Sequence, residues 1–127
     1  DKARLIMYKP VETVDSHRYK TVKDRFLSIK SVNGFPAENI FLLLDTGSNA
    51  MTLPTHIYDA VTDSVDIKMP NDIVFRFKIN KKDRWNAQIH KTEQPIIVIG
   101  ITHLVGYSVA IEHSLQNQHI IITPPSL

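Results

Sequence analysis

At 127 residues, with 43% hydrophobic and 22% charged residues, the chain has the size and composition of one globular domain with a real core, which excludes a disordered tail. Fifteen Lys and Arg against 13 Asp and Glu leave a formal charge of +2 with no basic block, so no nucleic-acid partner is expected. Cysteine is absent, which rules out a disulfide framework and a thiolate metal site, and no apolar stretch is long enough to cross a bilayer as a helix, so no membrane partner is expected.

In chain order the pattern is mostly period two, which predicts strands. Arg4 to Tyr8 is a short apolar run closed by Pro10. Tyr19 to Val32 reads as one long or two short strands ending at the turn signal Asn33-Gly34-Phe35-Pro36. Ile40 to Leu44 is apolar at every position and is expected to be a central strand buried on both faces. Ala50 to Leu53 predicts a short strand, and Pro54 can open a helix from Thr55 to about Val61. Ile73, Phe75, Phe77 and Ile79 then share one face of a strand, with Arg76 and Lys78 on the other, so Phe75 and Phe77 are core residues first.

The polar turn Asn80-Lys81-Lys82-Asp83 predicts a hairpin return through Arg84 to His90, and the cationic run from Lys78 to Arg84 reads as its solvated tip. Pro95 to Ile99 is a further buried run, and Gly100 to Gly106 is expected to form one helical turn. Tyr107, Val109 and Ile111 alternate, and His119 to Thr123 forms a last strand before two prolines. The sum is an all-β domain over residues 1–127: a closed or partly open barrel of antiparallel strands with one or two short helices.

Chemistry concentrates at Asp45-Thr46-Gly47-Ser48. A carboxylate placed after five large hydrophobes is expected where water is scarce, and it is costly there unless something hydrogen-bonds or uses it. Gly47 lets the chain turn tightly and brings a bare peptide N–H to the acid. Ser48 offers a hydroxyl to one carboxylate oxygen, and Thr46 offers a second to brace the loop. If a second such loop faced this one, two carboxyls would lie about one hydrogen bond apart and could not both ionise easily, so they would share a proton. Such a pair activates a water as general base and protonates a leaving nitrogen as general acid. The motif occurs once, and the chemistry needs two carboxylates.

Competing sites are weaker. The six histidines, His17, His56, His90, His103, His113 and His119, lack an i, i+4 or Glu-flanked spacing, so no metal is expected. Ser48 with His103 as nucleophile and base lacks a nucleophile-elbow sequence. An isolated Asp-Thr-Gly can also simply open a turn.

Asp45-Thr46-Gly47-Ser48 after its apolar strand resembles the active-site loop of aspartic proteases, and Ile97-Val98-Ile99-Gly100 resembles the hydrophobe-hydrophobe-Gly signature that lies behind that loop in the family. The order of segments from Tyr19 to Pro124 is most similar to the C-terminal lobe of pepsin-like enzymes. Retroviral-type aspartic proteases are the sister likeness, but their Gly-rich flap has no counterpart here, because no glycine lies between Gly47 and Gly100. Ile101 stands where pepsin-like C-terminal lobes usually carry an acidic residue, and the cysteine pair usual in that lobe is missing.

The resemblance implies an aspartic endopeptidase lobe without cofactor, in which Asp45 is one of two catalytic carboxylates. Thr46, Gly47 and Ser48 would support it, and Gly47, Ser48 and Asn49 would line the cleft for an extended polypeptide substrate. Ile99 and Gly100 would be structural. The second carboxylate must come from outside: from an N-terminal lobe on another chain, from a removed precursor segment, or from a second copy in a homodimer. The alternative is a non-catalytic pepsin-like module that binds a partner or is purely structural.

Overall fold

The computed structural model describes residues 15–82 and 88–125. The predicted Arg4 to Tyr8 run lies outside the described residues. The strands are β1 (His17–Lys20), β2 (Leu27–Ser28), β3 (Ser31–Val32), β4 (Phe35–Pro36), β5 (Phe41–Asp45), β6 (Met51–Pro54), β7 (Ser64–Lys68), β8 (Val74–Lys78), β9 (Ile89–Thr92), β10 (Ile96–Gly100), β11 (Ser108–His113) and β12 (Gln118–Thr123). One short helix, α1 (Thr55–Ala60), follows β6, and a single 3-10 turn (Ile101–His103) follows β10.

The domain is mostly β-sheet, but the strands do not close into a barrel. They form three sheets, in the orders β1-β12-β11, β2-β5-β10-β6-β9 and β4-β3-β7-β8. Nor are they all antiparallel, because β10 runs parallel to β5 and β9 runs parallel to β6. Alternation along a strand says which face is apolar but nothing about the direction of the neighbouring strand.

Local chemistry explains several elements. Asn33 (φ 49°) and Gly34 (φ 86°) both adopt the left-handed region, which a two-residue turn of a right-twisted hairpin requires, and they join β3 to β4 with Val32 opposite Phe35. The Asn33 side chain also holds this turn to β7: its Nδ2 donates to the Ser64 carbonyl (3.0 Å), and its Oδ1 accepts from the Asp66 N–H (2.6 Å). Pro54 precedes the helix with φ −54°, already set for helix entry, and α1 buries Ile57. The segment Tyr19 to Val32 is divided into three strands by the tight turn in which Val22 N–H donates to the Phe26 carbonyl (2.9 Å) and by the break at residues 29–30.

Burial corrects the reading of β5. Leu42 and the preceding Ile40 are buried, while Phe41, Leu43 and Leu44 are only partly so. β5 has hydrogen-bonded neighbours on both sides, yet only its Leu42 and Leu44 face is turned to the core. Phe41, Leu43 and Asp45 share the opposite face, which is half open. β8 agrees with its alternation, with Phe75 and Phe77 buried and Val74, Arg76 and Lys78 exposed.

Among the described residues, no strand returns along β8 as the expected hairpin would. β8 pairs with β7, a strand missing from the sequence reading, and residues 89–92 pair with β6. Two apolar positions in Ser64–Lys68, Val65 and Ile67, carry β7; both are fully buried, but two are too few to stand out as a pattern. Of the expected return segment, residues 83–87 lie outside the described residues.

The core joins all three sheets. Ile97 and Ile99 of β10 lie beside Leu42 and Leu44 of β5 in register and pack with Met51, Leu53, Val65, Ile67 and Ile122. Aromatic contacts tie the four-stranded sheet to the segment entering β11: Tyr107 stacks on Phe77 with centroids 5.2 Å apart and meets Phe75 edge-on at 6.3 Å.

Two expectations follow. Ile97 is wholly buried in a central strand, so Ile97→Ala lowers stability by about 2–5 kcal/mol, measured by denaturant unfolding. On the surface, Arg76 donates to both Asp66 carboxylate oxygens (2.8 and 2.9 Å) and holds that carboxyl below the ordinary carboxylate range. A carboxylate lowered on folding contributes stability above its unfolded pKa and loses it as pH falls through its folded value. Arg76→Gln therefore destabilises the protein slightly near neutrality, as expected for a solvent-screened surface pair. The gap from the parent closes as pH falls below about 4, read as thermal midpoints across an acid series.

Candidate functional site

Asp45 is the last residue of β5, and the loop that follows it leads into β6. β5 and β6 are consecutive in sequence but are not neighbours in the sheet. β10 lies between them, parallel to β5 along its whole length and antiparallel to β6 at Val98 and Thr52. The loop 46–50 must therefore arch over the C-terminal end of β10. The register puts Gly100 directly beside Asp45.

Gly100 makes this crossing possible. A Cβ there would lie 2.3 Å from the Ala50 carbonyl oxygen, 2.7 Å from the Ser48 carbonyl oxygen and 2.8 Å from the Ala50 nitrogen. Its backbone (φ −83°, ψ 174°) is extended and open to any residue, so the requirement for glycine is one of space. The next two residues clamp the same loop: Ile101 N–H donates to the Ser48 carbonyl at 2.7 Å, and the Thr102 hydroxyl donates to the Asn49 carbonyl.

Within the loop, Gly47 N–H donates to Asp45 Oδ1 at 3.0 Å, and Ser48 N–H closes a turn onto the Asp45 carbonyl at 3.2 Å. The Ser48 hydroxyl accepts from Ala50 N–H at 3.3 Å, so it braces the loop and leaves its own proton to be directed elsewhere. Thr46, Gly47 and Asn49 are exposed, and Asp45 and Ser48 are half-buried. Asp45 is therefore wetter than its apolar lead-in implies, because it lies on the half-open face of β5.

Asp45, Thr46, Gly47, Ser48, Asn49, Ile99 and Gly100 are thus brought together, with Ile99 buried beneath and the polar loop above. Among the described residues, no hydrogen bond or ion pair joins Asp45 to a second carboxylate, and no group of three metal-ligating side chains is present. His103 is drawn in beside the loop, its Nδ1 3.3 Å from the Thr102 hydroxyl. Chemically, the arrangement presents one carboxylate at an open surface on a backbone held from below.

The sequence reading missed Thr102, whose role needs the non-local contact to Asn49. It also missed a small cavity of about 80 Å³ beside the loop, where Leu44 and Thr46 face Arg25, Val109, Ile111 and Ile120. Its walls come from four separate stretches of chain, so no local motif marks it.

Gly100→Ala must push the loop backbone out of place, and the expected cost is about 1–3 kcal/mol. Denaturant unfolding measures that loss, and displaced amide resonances of Ser48 and Ala50 locate it. Compared with known proteins, the chain matches no family model and no curated protein.

Proposed function

We propose that this chain is one half of an aspartic endopeptidase of pepsin-like type, with Asp45 contributing one of two catalytic carboxylates. The observation that carries the reading is Gly100, pressed against the backbone of Ser48 and Ala50 and in register with Asp45. Two motifs offset by 52 residues, Asp45–Ser48 and Ile97–Gly100, meet in space, which supports the family reading. The half-open face of Asp45 and the exposed Thr46, Gly47 and Asn49 suit a second carboxylate and an extended peptide approaching from outside.

In the completed assembly one proton is shared by the two carboxyls. The ionised member removes a proton from a water, whose oxygen attacks the peptide carbonyl carbon. The protonated member supports the developing oxyanion. The leaving nitrogen then takes a proton as the C–N bond breaks, and the dyad returns to its shared-proton state. Gly47 N–H, 3.0 Å from Asp45 Oδ1, holds that oxygen in place. The partner half is an N-terminal lobe from another chain or precursor segment, or a second copy of this chain.

One observation favours a second reading, a non-catalytic module of the same architecture. The Ser48 hydroxyl is engaged with Ala50 rather than with the carboxylate it is expected to hold. A single experiment separates the two. Under the protease reading, the chain with its partner half cleaves an unstructured polypeptide, a statine-type transition-state mimic inhibits it, and Asp45→Asn slows cleavage by about 10²–10⁴-fold while the protein stays folded. Cleavage that survives Asp45→Asn unchanged, measured by mass spectrometry of the products, refutes that role.

A further inference from the structure

β8 is the outer strand of the four-stranded sheet, with β7 on one side and no strand on the other among the described residues. Hydrogen bonds at both ends of the β7–β8 pair fix its phase. Ile79 N–H donates to Asp63 O (2.9 Å), and Met69 N–H donates to Ile73 O (2.8 Å). In an antiparallel ladder the bonded positions alternate, so Phe75 and Phe77 turn their backbone groups to β7, while Val74, Arg76 and Lys78 turn theirs to the open edge. Tyr107 corroborates this phase, because its hydroxyl donates to the Arg76 carbonyl at 3.3 Å from that edge. Burial raises the Tyr107 pKa, which keeps the donor protonated.

A groove of about 470 Å³ runs along this edge, between β8 and the segment from Thr102 to Tyr107. Among the described residues its lining contains Arg76, Lys78 and His103 but no Asp or Glu. Arg76 is already paired with Asp66, whereas Lys78 makes no ion pair among the described residues. Val105, 78% exposed, supplies an apolar wall. An unpaired strand edge pairs with other chains unless something guards it, and among the described residues this one is guarded only by Tyr107 and the positive charge beside it.

We propose that the free edge of β8 is a docking site for an extended, acidic polypeptide segment, which adds to the sheet as a further strand. Backbone hydrogen bonds to the Arg76 N–H and to the Lys78 N–H and carbonyl supply the strand pairing, while Tyr107 keeps the Arg76 carbonyl, and the absence of acids among the described lining residues sets the sign of the partner. Side chains opposite each other across a strand pair point the same way, so an acidic residue opposite Lys78 meets its ammonium. The residues flanking that acid turn to the other side, toward Ile79 and Val105, and are apolar. The recognised pattern is apolar-acidic-apolar. The site is separate from the Asp45 loop and does not depend on whether that loop is catalytic.

Fluorescence anisotropy tests this with labelled, end-blocked Val-Glu-Val-Glu-Val and Val-Lys-Val-Lys-Val at low salt. The acidic peptide is expected to bind about tenfold or more tightly than the basic one. Lys78→Glu abolishes that preference. Lys78→Pro, which removes an N–H directed away from β7, weakens binding beyond Lys78→Gln, which removes only the charge. Circular dichroism and the thermal midpoint verify that each variant is folded, and if Lys78→Pro is not, amide shifts of Arg76 and Lys78 in the parent on titration replace it. Equal binding of the two peptides, no binding of either, or an unaltered preference in folded Lys78→Glu overturns the proposal.

Discussion

The closest constraint in the molecule is the passage of residues 46–50 over the end of β10. Strand β10 is hydrogen-bonded to both β5 and β6, and the chain joining those two must cross above it. That crossing brings backbone within 2.3 Å of where any side chain at position 100 would begin. Glycine there lets the sheet stay continuous beneath the loop. The clamps from Ile101 and Thr102 then convert a surface turn into a backbone with a fixed position, the positioning that the role proposed for Asp45 requires.

The hydrophobic core serves that crossing. Ile97 and Ile99, both fully buried, anchor β10 from below, while β5 turns its Leu42 face to the same interior. The opposite face of β5 is left half open, and Asp45 lies on it. A carboxylate at a half-open face keeps its contact with water and can also be covered later by another polypeptide. Tyr107 makes the corresponding link beside β8: stacked on Phe77 and bonded to the Arg76 carbonyl, it fixes the segment after the 3-10 turn against the edge of that strand. The Asp45 loop and the β8 groove therefore share one structural neighbour, the stretch from Ile101 to Tyr107.

Much of this was legible wherever the signal was local. Asn33-Gly34 announced a hairpin because both residues tolerate the left-handed backbone it needs. Pro54 announced a helix, and the Phe75, Phe77 alternation announced a half-buried strand. The Asp45 loop and the Ile99-Gly100 signature were both visible as motifs, and their side-by-side placement is seen in the register. Less legible was β7, whose two apolar residues give too short a pattern, and the fate of residues 89–92, which join β6 rather than β8.

By itself, then, the chain determined its strand-rich character, several of its turns, the buried face of β8 and the loop that carries Asp45. These depend on backbone preference and on side-chain periodicity, which act over a few residues. Tertiary structure alone decided that the described strands form three sheets in place of a closed barrel, that β10 slips between β5 and β6, that Asp45 lies on a half-open face, and that Thr102 reaches Asn49. Each of those is a pairing between segments distant along the chain. A strand carries the same donors and acceptors on either edge, so only the packing of the whole decides which neighbour satisfies them.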